Sequence, residues 1–169
     1  VIVRPPRSAG GVPSRLADHL FWMGRYAERL EHVVRLGRGA FRRLSAEGSV
    51  GTEAELAAQA ELIRAVKKIP PLPAGTPAPA SLWAELRRIF EDDDTADTVP
   101  ALARRLRYNA SAARDRLSDD MWRLVNTLAA HAAGSPSSPT EANSALDRLV
   151  LDTAALVGME AENMTRGHG

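Results

Sequence analysis

The 169-residue sequence contains no cysteine, which excludes disulfides, thiolate metal sites and cysteine nucleophiles. Lysine is almost missing as well: Lys67 and Lys68 are the only two, so arginine supplies nearly all the positive charge. Arginine favours planar, bidentate pairing with carboxylate or phosphate. Neither charge sign dominates, with 22 Lys plus Arg against 21 Asp plus Glu, and that balance argues against a general nucleic-acid binder, whose footprint is basic. No apolar run approaches the roughly 20 residues of a membrane span, and no signal peptide is visible. The expectation is a cytoplasmic protein with no membrane partner.

Catalytic signatures are lacking too. Ser8-Ala9-Gly10-Gly11 has neither the spacing nor the lysine of a phosphate-binding loop. The histidines, His19, His32, His131 and His168, show no metal-ligand spacing. No serine lies in a nucleophile-elbow sequence or has an obvious His–Asp partnership in the sequence. Asp147, Asp152, Glu160 and Glu162 could serve as a general base, but helix-surface acids explain them more simply. No catalytic residue, cofactor or metal is assigned.

What is present is helical patterning. Residues 1–13, rich in Pro and Gly, read as a linker or the tail of a preceding domain. From Ser14 to about Gly48, Leu16, Leu20, Met23, Ala27, Leu30, Val34, Phe41 and Leu44 recur at three- and four-residue steps, predicting one long helix. Thr52-Glu53-Ala54-Glu55 has capping-box spacing and opens a second, to about Val66. Five prolines between Pro70 and Pro79 form a stiff connection. Ser81 opens a short helix to Phe90, and Glu91-Asp92-Asp93-Asp94 reads as a solvated loop rather than a Mg²⁺ site. Pro100 fits the first turn of a helix with the stripe Leu102, Leu106, Ala110, Ala113 and Leu117. Ser118 caps the next, and Thr140 opens the last, through Leu146, Leu149, Val150, Ala154 and Val157. No segment alternates with period two. The predicted fold is an all-α antiparallel bundle of about six helices with a long first helix.

Three constellations mix charge with apolar groups. In Leu20-Phe21-Trp22-Met23-Gly24-Arg25-Tyr26-Ala27-Glu28-Arg29-Leu30-Glu31-His32, the residues Arg25, Glu28 and His32 cluster with Phe21 opposite the apolar stripe, Arg29 lies further round, and Glu31 sits at the stripe's edge. Asn109, Arg114 and Arg116 flank the stripe of the 100–117 helix. Glu162 and Arg166 stand at i,i+4, the favoured orientation for a helical ion pair, with Asn163 between them. Border charges in bundles commonly pair across helices, while converging Arg and Asn would equally suit an anionic ligand. The expectation is that the first helix is enclosed, its Arg and Glu paired to the other two segments.

These segments resemble, in order, the alpha-E domain, a bacterial all-helical family with a Glu-Arg motif. The resemblance rests on Ala17-Asp18, Leu20, Trp22-Met23-Gly24-Arg25-Tyr26, Glu28-Arg29 and Glu31. It continues through Asn109-Ala110, Arg114-Asp115-Arg116-Leu117-Ser118, Met121-Trp122 and Asn126, and ends on Glu162-Asn163-Met164-Thr165-Arg166-Gly167. Leu30 and His32 depart from the Ala and Asn of the family pattern. The resemblance implies a helical domain over 14–169 that continues beyond Gly169, so that the chain is read as an excised portion, incomplete at its C-terminus. It also implies a circularly permuted ATP-grasp domain as partner, in the same chain or operon, and transglutaminase-like or proteasome-like peptidase proteins as further company. The implied function is a non-catalytic accessory module for peptide synthesis or modification. The alternative is an enzyme domain using clustered Arg, Glu and Asn on an acyl or phosphoryl group, completed by the missing C-terminal half. Convergence of the clusters on an open pocket would favour the enzyme, and internal pairing would favour the module.

Overall fold

The structure, a computed structural model, describes residues 14–45 and 80–166. All elements among them are helical. α1 spans Ser14–Ser45, α2 Ala80–Arg87, α3 Val99–Ala112, α4 Asp119–Ala132 and α5 Pro139–Arg166. Short 3₁₀ turns at Arg88–Phe90 and Arg114–Arg116 follow α2 and α3. The helix expected over 52–66 and the linker expected at 1–13 lie outside the described residues.

Four helices close a ring in up-down-up-down order. α1 packs against both α3 and α5, and α4 packs against the same two from the opposite corner. The directions follow from the pairings along α1. His19 meets Asn109 near the end of α3, while Arg29 meets Asp97 just before its start. Gly24 lies beside Glu160, and Arg38 beside Asp147. α1 is therefore antiparallel to both neighbours, as the predicted bundle requires. The apolar stripe of α1 does what its spacing predicts: Met23, Ala27, Leu30, Val34 and Phe41 are all buried. So are Leu102, Leu106, Ala110, Ala113 and Leu117 on the α3 side.

The caps are legible side chains. The Thr98 hydroxyl accepts the Ala101 N–H at 3.4 Å, and the Ser118 hydroxyl accepts that of Met121 at 3.1 Å. Each satisfies one of the orphan donors at a helix start.

Two details differ from the sequence reading. α3 ends at Ala112, although its apolar stripe continues in phase to Leu117. The chain must turn there so that α4 can pack antiparallel. Arg114 fixes the corner, donating to the Leu117 carbonyl at 3.2 Å and to the Asp119 carboxylate at 2.6 Å. In α5 the buried stripe is Leu146, Leu149, Thr153 and Leu156, while Ala154 faces solvent. Thr153 tolerates burial because its hydroxyl donates to the Leu149 carbonyl of its own helix, at 2.7 Å.

Close approach is concentrated at Gly37. A Cβ there would lie 2.8 Å from Ile89 Cδ1 and 3.3 Å from Leu146 Cδ1, whereas one on Gly39 would meet nothing within 4 Å. Glycine inside a helix costs roughly 0.5–1 kcal/mol relative to alanine. Gly39→Ala should therefore stabilise the domain by about that amount. Gly37→Ala should forfeit the gain, since buried methyls must shift. Equal stabilisation by both, measured by urea denaturation, would show that α1 does not approach Ile89 and Leu146 this closely.

Candidate functional site

The ring topology brings the three sequence constellations to one end of the bundle. The N-terminal half of α1 lies there with the C-terminal ends of α3 and α5 and the α3–α4 corner. Among the described side chains, however, Arg25 and Glu31 pair within α1 rather than across helices. Arg25 bonds Glu28 one turn along its own helix at 3.2 Å, with both side chains more than half exposed. Glu31 pairs with Arg35, again within α1, at 3.3 Å. Phe21 and Trp22 are 60% and 45% exposed, their rings edge to face. The outer face of α1 is thus open, and the expectation that this segment is enclosed fails. Three- and four-residue neighbours on one helix reach each other before they reach another helix.

Asn109 and Arg29 are bonded between elements. Asn109, buried on α3, accepts a hydrogen bond from His19 Nδ1 at 2.9 Å and donates to the Arg105 carbonyl at 2.8 Å. Arg114 serves the corner described above, and its guanidinium also lies over the Trp122 ring, 5.4 Å from the centroid. Arg116 is exposed in the 3₁₀ turn, and Glu162 is exposed on α5. Asn163 and Arg166 belong to the last turn of α5, and their side chains lie outside the described residues.

Arg29 turns to a residue the sequence reading passed over. Its guanidinium grips the Asp97 carboxylate, Nε at 2.9 Å, and Arg105 reaches the other oxygen of the same group at 3.3 Å. Asp97 is only 17% exposed. Tyr26 lies beneath both cations, its ring centroid 5.5 Å from the Arg29 guanidinium carbon and 6.0 Å from that of Arg105. This two-arginine clamp ties α1 to the start of α3. Asp97 gave no local signal, because its partners are 68 and 8 residues away.

Glu28, the neighbour of Arg29, has a different companion. Glu160 on α5 packs where a Gly24 Cβ would lie 3.7 Å from its Oε2, and its other oxygen is enclosed with no hydrogen-bond partner. Burial first, and the Glu28 charge second, push the Glu160 carboxyl up to about 7. The sequence reading had Glu160 only as one of four candidate bases.

The acidic run near the start of α3 is occupied within the chain. Arg104 bonds both Asp92 and Asp94, and Asp93 accepts the Thr95 N–H and hydroxyl at 2.8 and 2.7 Å. Among the described residues no helix is long and apolar enough to cross a membrane. The sequence showed no His–Asp partnership, but the fold makes one, between His131 and Asp152 at 2.6 Å.

A helical bundle whose outer helix carries a single Glu-Arg dipeptide, Glu28-Arg29, defines a class. Residues 12–169 match the family model described as a predicted alpha-helical domain with a conserved ER motif, and the chain belongs to that Alpha-E family. It is 28% identical over 193 residues to Uncharacterized protein Rv2567 of Mycobacterium tuberculosis, and equally to Uncharacterized protein Mb2597 of Mycobacterium bovis. Each match covers 99% of this chain and 21% of the relative, so the chain spans about a fifth of those proteins' length. No solved structure matches it.

Two measurements check this division of labour. Asp97→Ala strands two partly enclosed guanidinium groups and should cost on the order of 2–3 kcal/mol, whereas Glu28→Ala breaks an exposed pair worth under ~1 kcal/mol. Chemical denaturation that ranks the two in the opposite order would refute the clamp. The raised Glu160 group means that the folded chain holds a proton that the unfolded chain has released between about pH 4.5 and 7. Stability should therefore fall as pH rises through that window. Glu160→Gln should raise the melting temperature at pH 8, by relieving a penalty of order 2–3 kcal/mol, and leave it nearly unchanged at pH 4.5.

Proposed function

We propose that the domain is a non-catalytic helical binding module that presents the outer face of α1 to a polypeptide. The carrying observation is the exposed Phe21–Trp22 pair beside the exposed Arg25–Glu28 pair. Large aromatics with a flanking arginine are what interface centres are enriched in. Phe21 sits opposite the buried stripe and Trp22 on its flank, and both rings are exposed. Internal pairing of Arg29 and Asn109 agrees with this reading, since it removes them from the list of groups free to bind ligand.

The family resemblance supplies the proposed setting. The polypeptide is the peptide acceptor of a circularly permuted ATP-grasp ligase, or the ligase itself, in the same chain or operon. Transglutaminase-like and proteasome-like peptidase proteins are further candidate partners. Phosphoryl chemistry would belong to the ATP-grasp partner, and the module needs no cofactor of its own. A cytoplasmic setting suits that chemistry.

An enzyme reading has one observation in its favour. Glu28 and Glu160 are neighbouring carboxyls whose surroundings differ, Glu28 exposed and Glu160 largely enclosed, and such pairs divide acid and base roles in known active sites. In the full-length polypeptide, Glu160→Gln separates the two readings. A module keeps turnover with this variant, and an acid–base site loses it.

The binding reading is tested by Phe21→Ala and Trp22→Ala. Each should leave the melting temperature within about 2 °C of wild type, because an exposed side chain contributes little to folding. Each should weaken association with the co-encoded ATP-grasp protein or its peptide at least tenfold by calorimetry. Unchanged affinity in both variants would sink the proposal.

A further inference from the structure

At the far end of the bundle from Glu28-Arg29, the α4–α5 hairpin encloses a second feature. An open groove of about 470 Å³ runs between the end of α4, the loop at Gly134–Pro136 and the first three turns of α5. That volume lies within the range of small-molecule sites. Its polar lining is His131, Ser135, Thr140, Glu141, Ser144 and Arg148.

Most polar groups in this lining can donate to an anion. Asp152 is an acceptor only, so His131 must donate through Nδ1, at 2.6 Å. That bond orients the ring and leaves Nε2 as the nitrogen a ligand meets, a donor to a phosphate oxygen in the imidazolium form. Arg148 has no ion-pair or hydrogen-bond partner among the described residues, which sets it apart from Arg29, Arg104, Arg105, Arg107 and Arg114. Nearly every arginine of α3 and of the corner is engaged, and this one is left over a groove. Glu141 is the one acid in the lining. It is committed to the Ser137 N–H and hydroxyl, both at 2.8 Å, which hold its carboxyl below the usual range. Its carboxylate is turned to that pair of donors, and no ion pair joins it to Arg148.

None of the three lining hydroxyls is hydrogen-bonded to His131, whose sole side-chain partner is Asp152. With no nucleophile joined to the imidazole, the arrangement speaks for binding rather than hydrolysis. Three hydroxyls and a bidentate guanidinium already offer more donors than the roughly four lone-pair sites of a carboxylate. They match the three terminal oxygens of a phosphate monoester.

We infer that the α4–α5 groove binds a small phosphate monoester, with Arg148 and His131 on the phosphate and the Ser135, Thr140 and Ser144 hydroxyls around it. Asp152 acts as a positioning residue, through His131. The inference is independent of the α1 surface and stands or falls without it.

The test uses the ¹⁵N-labelled 169-residue chain, titrated at constant ionic strength with inorganic phosphate, AMP and glucose 6-phosphate, and with acetate as the carboxylate control. All three phosphates should give saturable shifts at Ser135, Ser144 and Arg148, and the tightest of them identifies the body carried by the phosphate. Arg148→Ala, on the exposed face of α5, should weaken binding about tenfold with the fold intact. His131→Gln should do the same, and Arg123→Ala, on an exposed part of α4, should not. Asp152→Asn should weaken binding and move the His131 ring-nitrogen shifts, which a merely structural role would leave in place. Absence of saturation by every phosphate, equal saturation by acetate, or indifference to Arg148→Ala would each overturn the assignment.

Discussion

Everything in this bundle answers to the need to cover one long helix. α1 has 32 residues, a length of about 48 Å, and carries a continuous apolar stripe that no single short partner could bury. α5 spans nearly the whole of it on one side. On the other side the cover is divided. α3 lies along the first half, and the α2 region along the second, where Trp83 and Phe90 pack on Phe41 with ring centroids 5.6 and 5.9 Å away. α4 then closes the ring against α3 and α5. The junction between the two halves of cover falls near Asp97, where the two-arginine clamp sits. That location is physically sensible: a helix start abutting the middle of another helix leaves backbone and charge to be satisfied, and Arg105 also reaches the Asp94 carbonyl at 2.6 Å.

The Glu-Arg dipeptide divides between these demands. Consecutive residues on a helix point about 100° apart, so Arg29 and Glu28 cannot serve one neighbour. Arg29 leans toward α3 and is used up in the clamp. Glu28 leans toward α5 and solvent, exposed and close enough to Glu160 to raise its proton affinity. A motif read as a unit in sequence is, in the fold, two residues with separate surroundings. The arginine holds the structure, and the glutamate remains accessible to anything that approaches α1.

Periodicity made the fold legible. The stripes of α1 and α3 and the Ser118 cap could all be read from spacing and side-chain chemistry, because those signals act over three or four residues. The site was less legible, for reasons that can be named. Asp97 and Arg29, like His131 and Asp152, are partners only after the chain has folded, and nothing in their local sequence marks them. Thr153 was passed over because a hydroxyl reads as polar, yet its bond to the Leu149 carbonyl lets it sit in the core. The enclosure expected of α1 failed for a related reason. A helical wheel shows which side chains share a face, but not whether a further helix lies over that face.

The reliance on arginine has a consequence for chemistry done to the protein from outside. Every cation among the described residues is an arginine, the histidines excepted; Lys67 and Lys68 fall outside the described residues. Arginine keeps its charge at any pH a protein meets and is not a substrate for acylation of primary amines. The described surface is therefore silent to lysine-directed cross-linkers, acetylation and ubiquitination, and this sequence offers lysine for them only at Lys67 and Lys68.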